Sequence, residues 1–192
     1  KLGAWHAVAE AAVRTGLADA LSPRGNAVLM YHSVGEPYGN PRGPLSASRL
    51  RADLAYLRER YRLVDLPEVL VAGDGPRLAV TFDDGYRNFF TEALPVLESL
   101  DVPATLFVVA DLVGANRREP REYGFATDSD RMLSEAQMCA VADHDLVTLG
   151  NHTATHPSLP DLDEDRLHSE VVGAREALER RYGVDVTRFC YP

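Results

Sequence analysis

The sequence predicts an α/β protein whose strands form a parallel sheet, and two observations support this prediction. Short apolar runs, such as A-V-L-M-Y at residues 27–31 and A-T-L-F-V-V at residues 104–109, have the length and composition of buried strands. They alternate with longer stretches in which apolar residues recur at helical spacing. Strands that are separated by helices form β/α units, in which the strands run parallel.

Length and composition indicate one globular domain with a sizeable core. The chain has 192 residues, of which 45% are hydrophobic, and this is enough for one domain of ordinary size. We place an N-terminal helical segment over residues 1–26 and the domain itself over residues 27–192. Because the chain starts without Met and stops abruptly at Pro192, we expect it to be a piece of a longer protein.

Charge and hydropathy argue against several kinds of partner. The formal net charge is −9, and Lys1 is the only lysine. Nucleic acids and anionic lipids are bound by clustered cations, so neither is expected as the main partner. No stretch approaches the roughly 20 apolar residues of a transmembrane helix. Nothing in the sequence pattern indicates an oligomeric state.

Five strands are expected from the apolar runs, because each run is bounded by Gly, Pro or polar residues that mark turns. The predicted strands cover residues 27–31, 78–82, 104–109, 146–149 and 188–191. Two polar stretches, residues 33–45 and 111–132, are expected to be loops. A loop as long as the second is usually functional or mobile.

The helices are predicted from apolar spacing and from capping residues. Leu50, Leu54 and Leu57 lie on one helical face and follow a possible cap at Ser48. Ser134 and Gln137 have the spacing of a capping box. The remaining helices are expected over residues 4–21, shortly after Asp65, over residues 86–100 and, after a cap at Asp161, through Leu167, Val171, Ala174, Leu178 and Tyr182.

Five ionisable residues stand at or just after the carboxyl ends of three predicted strands. They are His32, Asp83, Asp84, His152 and His156. In β/α folds the carboxyl ends of the strands meet at one mouth of a barrel or one edge of a sheet, where the chemistry collects. These side chains are therefore expected to form one site.

A metal centre is the chemistry that these residue types suggest. His152 and His156 are four residues apart, a spacing that puts both rings on one face of a brief helical turn. With one carboxylate they form an open set of metal ligands that leaves positions for water and substrate. A metal ion in such a site lowers the pKa of its bound water towards about 7. Of Asp83 and Asp84, the carboxylate that does not bind the metal can act as the general base. Both can serve one site because Gly85 permits the chain to bend there. The alternative is that both aspartates only cap a helix or form a turn.

The sequence indicates the other histidines and the cysteines less strongly as members of the site. His32 taken alone is a structural histidine, but beside a metal and a base it can protonate a leaving group. We assign surface or structural roles to His6, His144 and His168. Two cysteines far apart in sequence suggest neither a zinc knuckle nor a disulfide framework, and we interpret both as buried thiols: Cys139 and Cys190.

With these residues the chain resembles the polysaccharide deacetylase family, carbohydrate esterase family 4. The matching motifs are V-T-F-D-D-G (80–85), N-H-T-A-T-H-P-S-L (151–159) and F-C-Y-P (189–192). The resemblance implies a distorted (β/α) barrel of about seven strands and a divalent metal, most often zinc. It also implies removal of N-acetyl groups from an amino-sugar glycan. Carried over by position, Asp83 is the general base, and the metal ligands are Asp84, His152 and His156.

The resemblance extends to the branch that deacetylates poly-N-acetylglucosamine, in which the motifs are circularly permuted. Leu29 to His32 matches its early Leu-x-x-His segment, which implies that His32 is the general acid. Tyr191 and Pro192, the last residues of the third motif, are assigned to substrate binding. Because that motif breaks off here, we expect the barrel to be incomplete at this end. The resemblance favours the cell envelope or the extracellular space, with the cytoplasm as the alternative.

Two other functions remain open on the sequence. The same site can serve a small-molecule amidase that acts on a cyclic amide, since one fold hosts many substrates. A glycan-binding relative without activity is the second alternative. A base and an acid together argue against that second alternative, because a binding protein needs neither.

Overall fold

The structure is a computed structural model that describes residues 25–35, 45–114 and 131–192. Within these residues five strands form one sheet, and every pairing is parallel. The sheet order is β1-β3-β4-β5, and the short β2 pairs with the start of β3. The strands are β1 (Ala27–Tyr31), β2 (Arg62–Leu63), β3 (Arg77–Phe82), β4 (Ala104–Val108) and β5 (Val147–Asn151). This confirms the predicted α/β fold with a parallel sheet.

Five α-helices connect or flank these strands in the described residues. They are α1 (Ala47–Arg58), α2 (Leu94–Leu100), α3 (Glu135–Ala142), α4 (Glu164–His168) and α5 (Ala174–Tyr182). Two π-helical turns extend them: Phe89–Ala93 leads into α2, and Ser169–Gly173 joins α4 to α5. Helical periodicity does not distinguish such wide turns from an ordinary helix, so the sequence did not predict them.

The main core lies between one face of the sheet and the helices. Leu78, Val80 and Phe82 of β3 alternate along the strand and pack in one cluster with Leu54 of α1 and Leu97 of α2. Alternate residues of a strand point to opposite faces, so the side chains between them belong to the other face.

The strand residues on that other face come directly before residues of the predicted site. Met30, Thr81 and Gly150 lie on β1, β3 and β5, each two residues before a histidine or aspartate of the site. The alternation of side chains therefore continues into His32, Asp83 and His152, which follow the strand ends at positions set by the parallel pairing. At β1 this face is open, and Val28 and Met30 are 51% and 53% exposed.

Two helix starts differ from the sequence prediction. The cap of α1 is Ser46, not Ser48, and its hydroxyl accepts the Arg49 N–H at 3.2 Å. Leu45 still pairs with the segment at Ser33 and Gly35, so Ser46 is the first residue free to begin a helix. The cap of α4 is Asp163 rather than Asp161, because Leu159–Asp161 forms a separate 3₁₀ turn.

The last predicted strand is reduced to a single bridge, in which Phe189 pairs in parallel with Asn151. The Asn151 N–H donates to the Arg188 carbonyl at 2.8 Å, and the Cys190 N–H donates to the Asn151 carbonyl at 3.0 Å. The helix expected over residues 4–21 lies outside the described residues, as does most of both predicted loops. Among the described helices, none combines the length and the apolar character needed to cross a membrane.

Candidate metal centre and active site

The turn after β3 places two adjacent carboxylates at one site. The Asp83 N–H continues the pairing with β1 by donating to the Tyr31 carbonyl at 2.9 Å. The chain then bends sharply, since Asp84 has φ 73° and Gly85 has φ 82°. The left-handed conformation costs a non-glycine residue roughly 1–2 kcal/mol, although aspartate tolerates it better than most residues. The bend predicted at Gly85 thus begins one residue earlier, at Asp84 itself.

The segment after β5 presents two imidazoles, but not as the helical turn that the spacing suggested. Thr153 and His156 have positive φ values of 70° and 61°. Side chains hold this shape: the Thr153 N–H donates to the Asn151 side-chain oxygen at 2.9 Å, and the His156 N–H donates to the Thr153 hydroxyl at 2.9 Å. The predicted juxtaposition of His152 and His156 is still present, with ring centroids 4.9 Å apart.

Asp84, His152 and His156 form a group suited to a metal ion. Their ligand atoms all lie within 4.8 Å of one another. The Asp84 Oδ1 atom is 3.4 Å from the Nε2 atom of each histidine. Ligands about 2.0–2.1 Å from a tetrahedral zinc ion lie roughly 3.3–3.4 Å from each other. This oxygen is also buried without a hydrogen-bond partner in the described residues, so the donor set fits a divalent ion.

The main chain of the third motif orients one of these candidate ligands. The His152 Nδ1 atom lies 3.0 Å from the Cys190 carbonyl oxygen, which as an acceptor requires a proton on Nδ1. Nε2 of that ring is then directed towards Asp84. Histidines that bind metals usually donate their second nitrogen in this way, which fixes both tautomer and ring orientation.

Electrostatics favour a positive charge beside Asp84. Burial would raise the pKa of Asp84, but the interaction with His152 and the charges of the neighbouring histidines outweigh it and hold that pKa below its usual range. Burial would lower the pKa of His152, but Asp84, Cys190 and Asp83 raise it to about 10. A proton on His152 or a bound cation can supply the charge that the carboxylates favour.

Asp83 differs from its neighbour in both contacts and charge. It is 3% exposed and is not in the group of possible metal ligands. Its Oδ2 atom lies 3.7 Å from the Cys190 sulfur, while Oδ1 has no hydrogen-bond partner in the described residues. Burial raises the pKa of Asp83 above its usual range, against the opposing charges of His152 and His32. A buried carboxylate with a raised pKa is suited to accept a proton.

The remaining predicted site residues are all exposed. His32 is exposed directly after β1, and its charge acts on the pKa of both Asp83 and Asp84. Tyr191 is 75% exposed, and its ring packs against Phe189 with centroids 5.2 Å apart. Pro192 is exposed beside it.

The histidines predicted to be structural do not join the site in the described residues. His144 pairs with Glu98 at 3.0 Å, and His168 is exposed at the end of α4. His6 lies outside the described residues. The prediction that both cysteines are buried was wrong: Cys139 is exposed, and Cys190 is partly exposed next to the single bridge formed by Phe189.

Sequence reasoning missed two residues that support the site. Cys190 contacts both Asp83 and His152, but a lone cysteine in a short apolar motif gives no indication of this. Glu170 is 2% exposed and binds the segment between the two histidines. It falls on the same helical face as Leu167 and Ala174, so a charged residue on an apolar face was the available indication.

Comparisons with known proteins support one family. The family model described as polysaccharide deacetylase matches residues 71–192, more than half of the chain. The YxkH protein of Bacillus subtilis (strain 168) is 26% identical over 173 residues, which cover 86% of this chain and 55% of that protein. The poly-beta-1,6-N-acetyl-D-glucosamine N-deacetylase of Escherichia coli (strain K12) is 30% identical over 138 residues, covering 67% of this chain and 20% of that enzyme.

A solved structure agrees at the level of the fold. IcaB from Ammonifex degensii superposes with a TM-score of 0.68 at 24% sequence identity, covering 88% of this chain and 75% of that one. The chain spans about half the length of YxkH and a fifth of the Escherichia coli enzyme. The family match includes the third motif and four of the candidate site residues, Asp83, Asp84, His152 and His156. This chain belongs to the polysaccharide deacetylase family.

Proposed function

We propose that this protein hydrolyses N-acetyl groups of a glucosamine-containing glycan. The observation on which the proposal rests is the arrangement of Asp84, His152 and His156 within 4.8 Å of one another, next to a separate buried carboxylate, Asp83. This combination provides a metal site and a proton acceptor together. The Escherichia coli relative is named for an N-acetylated glucosamine polymer, which supports the same substrate class here.

Three residues hold the ion, and we propose that the ion is zinc. Asp84, His152 and His156 supply one oxygen and two nitrogens, and the 3.4 Å separations match a tetrahedral centre. When bound, a zinc ion polarises a carbonyl oxygen and lowers the pKa of water. With three protein ligands, such an ion would keep a position for water or substrate, as a catalytic centre requires.

Asp83 and His32 supply the proton transfers. Water attacks the acetyl carbon, and Asp83 accepts the proton that the water loses. The bond between the acetyl carbon and the amide nitrogen then breaks while His32 donates a proton to the nitrogen. The products are acetate and a free amino sugar. The exposure of His32 suits this role, because the leaving group is the glycan itself.

The open side of the centre is the proposed glycan surface. We assign the catalytic domain to residues 27–192 and propose that Tyr191 and Pro192 contact the sugar. The Tyr191 ring is 75% exposed next to the third motif, and aromatic side chains bury large apolar areas when a ligand covers them. A polymer substrate of this kind favours the cell envelope or the extracellular space.

Acetate release tests the proposal. The protein is incubated with β-1,4- and β-1,6-linked N-acetylglucosamine oligomers, with zinc or with a chelator, and acetate is quantified. We expect release that depends on zinc. A zinc-loaded protein that releases no acetate but hydrolyses a cyclic amide would replace this proposal with the amidase alternative. Glycan binding without any turnover would favour a binding protein.

A further inference from the structure

Glu170 is a buried carboxylate that the proposed mechanism does not use. It lies in the π-helical turn Ser169–Gly173 and is only 2% exposed. A buried charge is costly unless hydrogen bonds satisfy it. Turns of this wide type are frequent at functional sites, and this turn packs against the segment that carries both imidazoles.

The Glu170 carboxylate binds the residues between the two histidines. The Oε2 atom accepts the Ala154 N–H at 3.0 Å and the Thr155 N–H at 2.8 Å. The Oε1 atom accepts the Thr155 hydroxyl at 2.7 Å and lies 3.3 Å from the Arg166 guanidinium. The Ala154 N–H also lies 3.0 Å from the Glu170 main-chain oxygen. The Glu170 side chain thus accepts hydrogen bonds from Ala154 and Thr155, in the middle of the segment 152–156.

A second contact joins the same turn to the start of the segment. The Asn151 side-chain nitrogen donates to the Val171 carbonyl at 2.7 Å, and the Asn151 side-chain oxygen accepts the Thr153 N–H at 2.9 Å. The π-helical turn therefore holds the chain on both sides of His152. These hydrogen bonds hold the main chain of the segment 152–156, and the conformation of that segment sets the direction of the His156 side chain.

The histidine segment needs such support because two of its residues are in an unfavourable conformation. Thr153 and His156 have left-handed backbones, which persist in non-glycine residues only when the surroundings enforce them. If this segment relaxes, the His156 ring moves away from Asp84, since its own backbone angle sets its direction.

We propose that Glu170 is a positioning residue for the metal ligands, and for His156 in particular. It fixes residues 153–156 in the conformation that directs the His156 Nε2 atom at Asp84. The inference rests on the metal site of the proposed function, but not on the reaction that this site catalyses.

The test compares Glu170→Gln with Glu176→Gln, a matched control at an exposed position on α5. Zinc affinity is measured by competition with a chromogenic chelator, and the visible absorption spectrum is recorded with cobalt in place of zinc. The amide nitrogen of glutamine faces donors, so we expect zinc to bind about 10- to 100-fold more weakly in Glu170→Gln, with an altered cobalt spectrum. The control should match the wild type in both measurements.

A purely structural role predicts a different result. Glu170→Gln would then unfold more easily, yet bind zinc within about two-fold of the wild type with an unchanged cobalt spectrum, and this would overturn the proposal. If Glu170→Gln does not fold, Thr155→Val decides, because it removes only the hydroxyl donor. Weaker zinc binding in Thr155→Val supports the proposal, and unchanged binding overturns it. Zinc binding without acetate release in the wild type would refute the proposed function alone.

Discussion

Asp83 and Asp84 are neighbours in sequence but have opposite electrostatic environments. Burial raises the pKa of Asp83, while the histidines hold the pKa of Asp84 below its usual range. The left-handed backbone at Asp84 lets adjacent side chains face one site, which a regular strand does not allow. The difference in pKa agrees with the roles that the family resemblance implied, with Asp84 as ligand and Asp83 as base.

The state of His152 predicts that zinc binding releases a proton. In the metal-free protein the pKa of His152 is raised to about 10, so the ring is protonated near neutral pH. A histidine must be neutral to bind a metal, and zinc must therefore displace this proton. We expect release of about one proton per ion at about pH 6, below the pKa of about 7 that a catalytic zinc ion gives its bound water.

Titration calorimetry in two buffers of different ionisation enthalpy measures this release. The apparent enthalpy should differ between the buffers by about one ionisation enthalpy per zinc bound. Identical enthalpies in both buffers would mean that the ring is already neutral, which contradicts the charge assigned to the site.

At the level of residues, the sequence predicted the group of candidate ligands but not the residues that support it. The residues that the resemblance assigned as ligands lie together, because motif residues at strand ends can be recognised from local sequence. Cys190 and Glu170 act through a main-chain carbonyl and through a turn that forms only in the fold. Sequence spacing gives no information on such contacts, apart from the charged position on an apolar helix face.

The elements of the fold position the site through tight packing between strands. Gly150 of β5 pairs with Phe107 of β4, and the Phe107 ring covers the glycine two residues before His152. A Cβ atom at Gly150 would lie 2.3 Å from the nearest ring carbon of Phe107. No side chain fits there unless the buried ring moves.

Gly150→Ala should therefore destabilise the protein. Forcing an extra methyl group into a packed interior costs about 1–3 kcal/mol, measured as a change in the free energy of unfolding in urea. Gly173→Ala is the matched control, since that glycine has a helical backbone and nothing within 4 Å of its Cβ position. Gly173→Ala should be more stable than the wild type by roughly 0.5–1 kcal/mol. Equal stability of Gly150→Ala and the wild type would contradict the packing described.

The presence of the strands was easier to predict from the sequence than the residues at which the helices begin. Four of the predicted runs became strands, because apolar β-rich runs between turn residues have few alternatives. Two helix caps lie two residues from the predicted positions, whereas Ser134 and Gln137 form the predicted capping box. At α1, Ser46 and Ser48 are equally good caps in sequence, and only the pairing of Leu45 selects between them. The fifth run near Phe189 forms one bridge, a difference that depends on neighbouring strands rather than on its composition.

On the scale of the whole molecule, the described sheet brings the candidate site residues to one edge. All pairings in the described sheet are parallel, so each strand ends on the same side, and residues distant in sequence meet there. The acidic chain carries a net charge of −9, which suits a neutral or cationic glycan better than a polyanion. Parallel topology was predictable from β/α alternation, while the open face at β1 became visible only with the exposures of Val28 and Met30.

The central claim is that three residues hold a metal while Asp83 acts separately as the base. It is tested most directly by measuring the zinc content and the acetate release of Asp83→Asn side by side. We expect about one zinc ion per chain, as in the wild type, and a loss of acetate release of roughly 10²- to 10⁴-fold. The control Asp145→Asn, at an exposed position just before β5, should retain both. Full acetate release by Asp83→Asn, or loss of its zinc, would contradict the account.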